Sequence, residues 1–126
     1  MSRILLDAGA LIALDRNDRT MWHRLAMAHR DGIGLITHGG VLGQVWRTPA
    51  RHARLAPVLR AIDVRPLDSE LGKLAGVLLA RSGLSDVVDA ALVALSETDD
   101  RILTSDPDAI LRLLAAARRE VEVLAV

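Results

Sequence analysis

Short apolar runs alternate with amphipathic helical patterns along nearly the whole chain, and this alternation limits its fold more than any other feature. The runs at 3–6, 32–36 and 101–104 are short and continuous, which predicts strands buried on both faces of a parallel sheet. Weaker patterns at 62–67 and 121–124 predict two further strands. Strands that alternate with helices indicate a doubly wound fold. We therefore expect an α/β protein, a three-layer α/β/α sandwich around a mainly parallel sheet of four to five strands.

Capping residues predict where several of the intervening helices begin. Asp18 and Asp68 each precede a helical pattern and suit the N-cap position, and Gly83 breaks the helix that follows Asp68. In chain order, helices are expected over 8–14, after Asp18, over 41–46 to end before Pro49, over 50–60, after Asp68, around 88–95 and after Pro107.

Size and composition favour one domain, residues 1–126, without a membrane segment. A chain of 126 residues that is 51% hydrophobic can bury a sizeable core. No apolar segment approaches the roughly 20 residues of a membrane-spanning helix, and the first strand leaves no room for a signal peptide. We therefore expect a cytoplasmic protein. The absence of cysteine excludes disulfides and thiolate metal sites, so any metal would have oxygen or imidazole ligands.

Positive charge is concentrated in the middle of the chain although the formal net charge is zero. No acid occurs between Asp31 and Asp63, and this segment carries Arg47, Arg51 and Arg54. Guanidinium groups suit bidentate contacts to phosphate. The alternative explanation is that a chain with a single lysine reflects the base composition of its genome.

Acidic residues stand where the strands of such a fold end. Asp7 directly follows the first strand, and Asp106 follows the strand at 101–104. Ligands of open α/β sheets bind at the carboxyl ends of the strands. Asp86 and Asp89 lie one turn apart at the start of a helix that could point to the same crevice. Acids brought together must be neutralised by protons or by a metal ion, which indicates metal-assisted chemistry.

Each acid also has a structural explanation. Asp106 with Pro107 is a favoured way to start a helix. Asp86 could cap its helix, with Asp89 favoured by the helix dipole. Asp7 follows a buried run, where an unpaired carboxylate is costly. From these local patterns alone, we interpret Asp86 and Asp106 as caps, and we interpret Asp7 and Asp89 as functional.

Other polar and aromatic residues are assigned ordinary roles. Asp99 and Asp100 are expected in solvent. The histidines lack a paired metal-ligand spacing, and only His38, in a glycine-rich turn, is kept as a substrate-contact candidate. Trp22 and Trp46 fit the core faces of helices, with nucleobase stacking as the lesser alternative.

Taken in order, the motifs at 4–7, 41–47, 85–92 and 102–108 resemble those of the PIN-domain nuclease family, in particular the VapC-type toxins of bacterial toxin–antitoxin systems. The resemblance spans nearly the whole chain and implies a PIN-like fold. It also implies a Mg²⁺- or Mn²⁺-dependent endoribonuclease that hydrolyses RNA, forms a homodimer and is silenced by a small antitoxin protein.

The resemblance assigns site residues position by position. Asp7, Asp89 and Asp106 match the catalytic and metal-binding acids. Thr104 or Ser105 would orient a carboxylate or a metal-bound water. Among the remaining residues, Asp86 has a possible supporting role, Asp108 is peripheral, and the RNA-binding candidates are Arg47, Arg51 and Arg54, spaced to share parts of one helix face.

Gln44 departs from the pattern, because the family usually places glutamate there. An amide keeps a carbonyl oxygen but lacks the charge and cannot act as a general base. We expect weaker metal binding than in a Gln44→Glu variant. The alternative function is a catalytically weakened PIN-like protein that binds RNA or an antitoxin. A phosphoacceptor receiver domain fits poorly, because Asp7 has no second acid beside it and Lys73 falls in a helix.

Overall fold

A computed structural model describes residues 2–126, which form five β-strands and seven α-helices. The strands are β1 (Arg3–Leu6), β2 (Gly34–His38), β3 (Ile62–Arg65), β4 (Arg101–Thr104) and β5 (Glu122–Ala125). The helices are α1 (Ala8–Asp15), α2 (Arg19–Arg30), α3 (Gly39–Val45), α4 (Leu55–Leu59), α5 (Ser69–Ser82), α6 (Val87–Leu95) and α7 (Pro107–Ala117). Among these residues no helix combines the length and apolar character needed to cross a membrane.

The five strands form one parallel sheet in the order β3-β2-β1-β4-β5. The chain builds outward from β1 on one side and then crosses to β4 on the other, so the strand order reverses between β1 and β4. Leu6 pairs with Leu103 in register, so the residues that follow these two strands emerge side by side. A receiver domain has the order 2-1-3-4-5, and the observed order excludes that interpretation.

Both faces of the sheet are covered by helices. Successive side chains of a strand point to opposite faces. Ile4, Leu6 and Leu103 pack with helices α1 to α4. Leu5 and Ile102 pack with helices α5 to α7. This burial on both faces explains the continuous apolar runs, and the predicted three-layer sandwich is confirmed.

Helix starts follow the predicted caps. Oδ1 of Asp18 accepts a 2.8 Å hydrogen bond from the backbone nitrogen of Met21. Oδ1 of Asp68 accepts a 3.0 Å hydrogen bond from the backbone nitrogen of Leu71. Gly83 ends α5 in a left-handed conformation with φ +73°. These interactions are local, so the sequence pattern is sufficient to predict them.

Strand β2 lies two residues later than expected. Thr37 and His38 belong to the strand, because they pair with Val64 and Arg65 of β3. Thr37 is fully buried, and its hydroxyl donates a 2.7 Å hydrogen bond to the carbonyl of Leu6. A polar residue can therefore extend a buried strand, since its hydrogen bond is satisfied. The outer strands differ slightly, with β3 ending at residue 65 and β5 covering 122–125.

The predicted helix over 50–60 is wrong. Thr48 is extended, as the residue before a proline usually is. A 3₁₀ helix, Pro49–His52, and a two-residue turn precede the short helix α4. Arg47, Arg51 and Arg54 therefore do not share a helix face, and that prediction is also wrong.

Asp100 is buried at the amino ends of β1 and β4, with 1% of its surface exposed. Arg3 donates to it from its backbone nitrogen at 3.0 Å and from Nη2 at 2.8 Å. Burial acts to raise the pKa of Asp100, but the hydrogen bonds from Arg3 and from the backbone of Glu97 outweigh it, so the pKa is lowered. The prediction that Asp100 is solvated is therefore wrong. The sequence pattern does not reveal the burial, because the partner Arg3 lies 97 residues away.

Candidate active site

Asp7 connects the ends of β1 and β4, the two strands between which the strand order reverses. Its side chain is 5% exposed. Oδ1 accepts a 2.9 Å hydrogen bond from the backbone nitrogen of Ala10 and so caps α1. Oδ2 accepts a 3.0 Å bond from the backbone nitrogen of Ser105, directly after β4. Two backbone donors therefore compensate for the burial of this carboxylate and fix its position.

The turn after β4 presents Asp106 beside Asp7. Asp106 is exposed and caps α7, with Oδ1 accepting a 3.2 Å bond from Ala109. Its own backbone nitrogen donates to the buried hydroxyl of Thr104 at 2.9 Å. Thr104 therefore orients Asp106 through the backbone, and Ser105 orients Asp7 through its backbone nitrogen.

Gly9 is required by the close approach of α1 to this turn. A Cβ atom at residue 9 would overlap the Cβ and Oγ atoms of Ser105. The hydrogen bond from Ser105 to Asp7 depends on that approach. The small residue in the Asp7-Ala8-Gly9 sequence thus keeps Asp7 and the turn after β4 together.

Helix α6 brings Asp89 to the same carboxyl end of the sheet. Asp86 caps this helix, as predicted, through 2.9 and 3.1 Å bonds from the backbone nitrogens of Val88 and Asp89. Burial raises the pKa of Asp89 to about 6, with further contributions from the negative charges of Asp86, Asp7 and Asp106. Among the described residues no group donates a hydrogen bond to the Asp89 side chain. A proton or a cation would therefore stabilise the Asp89 carboxylate in this environment.

His38 fixes the start of α6 from the interior of the protein, so the prediction that it contacts a substrate is wrong. Its side chain is fully buried. Nδ1 accepts a 3.1 Å bond from Gly40, so Nε2 carries the proton that is donated to the carbonyl of Val88 at 2.9 Å. Burial lowers the pKa of His38 against the opposing effects of the Val88 carbonyl and the Asp86 charge. A neutral His38 ties the end of β2 to the start of α6, which carries Asp89.

The acids match Mg²⁺ or Mn²⁺ in ligand type, since both ions prefer hard oxygen ligands. Within residues 2–126, no group of three or more His, Asp or Glu side chains stands ready to hold a metal. Mg²⁺ commonly uses one or two carboxylates and completes its shell with water and substrate phosphates. Asp7 and Asp89 keep unused lone pairs, so the acids fit a partial ligand set.

Gln44 lines a cavity that none of the three acids lines. It is exposed on α3, and the cavity, of about 290 Å³, is also lined by Arg16, Arg47 and Arg51. Arg54 does not line this cavity, and its Nη1 contacts the carbonyl of Asp15 at 3.5 Å. Arg16 was not predicted to belong to this group. It lies in a polar break after a short helix, and nothing in the local sequence indicates that it lines a cavity with Arg47, some 30 residues later.

Comparison with known proteins identifies the fold but no sequence family. No family model matches the chain, and no curated protein matches it in sequence. A chain in the crystal structure of VapBC2 from Rickettsia felis, bound to a DNA fragment from their promoter, is similar over 98% of this chain and 98% of that chain. The TM-score is 0.69 and the sequence identity is 11%. The likeness covers the whole sandwich, and it confirms the PIN-like α/β/α fold that the motifs predict.

Proposed function

We propose that this protein is a metal-dependent endoribonuclease, the toxin of a toxin–antitoxin pair. The observation that carries the proposal is the convergence of Asp7, Asp89 and Asp106 at the carboxyl ends of β1 and β4. The three acids come from separate segments, and the negative charges of Asp7 and Asp106 act on Asp89. A like-charge cluster of oxygen ligands at a switch point suits a divalent cation and a phosphate substrate.

Each acid has a distinct part in the proposed reaction. Asp7 is held by two backbone donors and supplies a fixed oxygen. Asp106 is held through Thr104 and Ala109 at the mouth of the site. The Asp89 carboxylate has a raised pKa and can hold a proton when no cation is present. A bound Mg²⁺ or Mn²⁺ would activate water and neutralise charge on the scissile phosphate.

Cleavage of a labelled single-stranded RNA in Mg²⁺ or Mn²⁺ tests the proposal. Asp89→Asn is a better probe than Asp7→Asn, because Asp7 also holds α1 and the turn after β4 together. We expect Asp89→Asn to reduce the cleavage rate by about 100-fold or more. Asp108→Asn removes the same charge from an exposed first-turn position of α7 and should retain activity. Equal cleavage by the Asp89→Asn and wild-type proteins would refute the assignment.

Gln44 favours a second candidate, a catalytically weakened protein that acts by binding RNA or an antitoxin. Residue 44 supplies no carboxylate, and it lies among arginines. RNA retention in EDTA, without cleavage in Mg²⁺ or Mn²⁺, would favour this candidate over the nuclease.

A small antitoxin partner and a homodimer belong to the first proposal. The similar fold occurs in VapBC2 bound to promoter DNA, which supports a search for a partner of that kind. Coexpression with a short neighbouring open reading frame should yield a complex that loses RNase activity. Size-exclusion chromatography with light scattering should give a dimer mass for the protein alone.

A further inference from the structure

The cavity beside Gln44 collects guanidinium groups from two distant parts of the chain. Arg16 follows α1, Arg47 follows α3 and Arg51 lies in the 3₁₀ helix. All three are exposed, and among residues 2–126 none forms a salt bridge with a carboxylate. Three guanidinium groups therefore line the cavity against one carboxylate, Asp15, so positive charge is in excess.

The one acid that lines this cavity is already occupied. Oδ2 of Asp15 lies 2.6 Å from Nδ1 of His52. Nε2 of His52 accepts a 2.9 Å bond from the backbone nitrogen of Arg47, which places the imidazole proton on Nδ1, facing Asp15. Trp46 stacks on the same ring, with centroids 4.8 Å apart. This partly buried network fixes the backbone of Arg47 and holds the Asp15 carboxylate against His52.

We infer that Arg16, Arg47, Arg51 and Gln44 form a phosphate subsite for a single-stranded RNA, an inference that rests on the proposed RNA substrate. Arginine suits phosphate because its planar fork donates two parallel hydrogen bonds. Arg47 uses Nη1 for the carbonyls of Gly43 and Trp46 at 3.2 and 2.7 Å, which leaves its other donors available. The Gln44 amide adds a donor without a charge.

The subsite also gives a physical reason for glutamine at position 44. A glutamate in the same cavity would pair with the arginines and repel an incoming phosphate. Glutamine leaves the positive charge of the cavity intact. Arg16 follows the end of α1 and Asp7 caps its start, and a helix of eight residues spans about 12 Å. A strand of a few nucleotides could therefore contact both ends of α1.

Fluorescence anisotropy with a labelled single-stranded oligoribonucleotide in EDTA tests the subsite without cleavage. We expect Arg16→Gln and Arg51→Gln each to reduce the slope of log affinity against log salt by about 0.7, the value for one lost phosphate contact on a single strand. Gln44→Glu should weaken binding by about fivefold, the scale of one exposed like-charge contact. Arg81→Gln is the matched control, since Arg81 is exposed on α5 in the opposite layer.

Wild-type affinity and wild-type salt slopes in all three subsite variants would overturn the inference. Circular dichroism melts of the same proteins verify that each variant is folded. Cleavage of the same RNA in Mn²⁺ is measured separately. Cleavage combined with unchanged binding by the variants refutes the subsite alone, and the predicted binding losses without cleavage refute the nuclease alone.

Discussion

Replacing Asp89 with asparagine should stabilise the metal-free protein at neutral pH. The pKa of Asp89 rises from 3.8 to about 6, mainly because the side chain is partly buried and also because Asp86, Asp7 and Asp106 are negative. Below pH 3.8 the carboxyl group is protonated in the folded and unfolded states, so it carries no penalty. Between pH 3.8 and about 6 the unfolded chain loses the Asp89 proton while the folded protein keeps it, so stability falls across this range and the full penalty is present above it.

The size of the effect follows from the pKa shift. A shift of about 2 units corresponds to about 3 kcal/mol of unfolding free energy above pH 7. Asp89 is only half-buried, so solvent screening reduces this to about 1 to 2 kcal/mol. Asparagine loses part of the favourable interaction with the helix dipole, about 0.5 kcal/mol. A net gain of about 1 kcal/mol at pH 7.5 remains.

Urea unfolding in EDTA at pH 7.5 and pH 4 measures this gain. The Asp89→Asn protein should be more stable than the wild type at pH 7.5, and the difference should close at pH 4. Asp108→Asn is the control, because it also removes an acid from the first turn of a helix but one that is not surrounded by other carboxylates. Mn²⁺ should raise the stability of the wild type more than that of Asp89→Asn, because only the wild type supplies this ligand. An Asp89→Asn protein no more stable than wild type at pH 7.5 would refute the electrostatic argument.

Three further predictions concern a buried ion pair of the sheet and two positions near the site. Asp100→Asn should lower the unfolding free energy by about 3 kcal/mol, because it removes the buried charged partner of Arg3 and leaves only the exposed Glu97 at 3.8 Å; urea denaturation checks this, and Asp99→Asn, at the exposed neighbouring position, should have little effect. Gly9→Ala should cost about 1 to 3 kcal/mol through the clash with Ser105, and Ser105→Gly in the same chain should restore most of it in thermal melts; no rescue would place the cost elsewhere. Gln44→Glu should bind Mn²⁺ more tightly in calorimetric titration, because a carboxylate replaces an amide; equal or weaker binding would contradict the role expected of residue 44.

Local rules made much of the fold predictable from sequence. Strands β1 and β4 have the predicted bounds because both faces are buried and a polar residue stops each run. The caps at Asp18, Asp68 and Asp86 act on backbone nitrogens within three residues. Such contacts lie within one window of sequence, so residue pattern and capping preference are sufficient.

Features that depend on distant residues were not predictable. His38 looked like a loop residue because its partner, the carbonyl of Val88, comes 50 positions later. Arg3 and Asp100 are 97 positions apart. The arginine cavity joins the end of α1 to the segment after α3, and only the folded chain brings Arg16 there. The acids were predicted from the strand ends, whereas the environment of Gln44 required the tertiary structure.

Helix α1 connects the acid cluster at its start with the arginine cavity at its end. A substitution at residue 44 can therefore affect both metal binding and RNA binding. Asp7 caps the start of this helix beside the other acids, and Arg16 follows its end, where three arginines line the cavity. A carboxylate at position 44 would assist metal binding but compete with RNA phosphates for the arginines. We therefore expect Gln44→Glu to raise the KM for RNA by about fivefold at saturating Mn²⁺, while kcat stays equal or rises. Steady-state cleavage kinetics measure both constants, and an unchanged KM would show that Gln44 does not protect an RNA-binding surface.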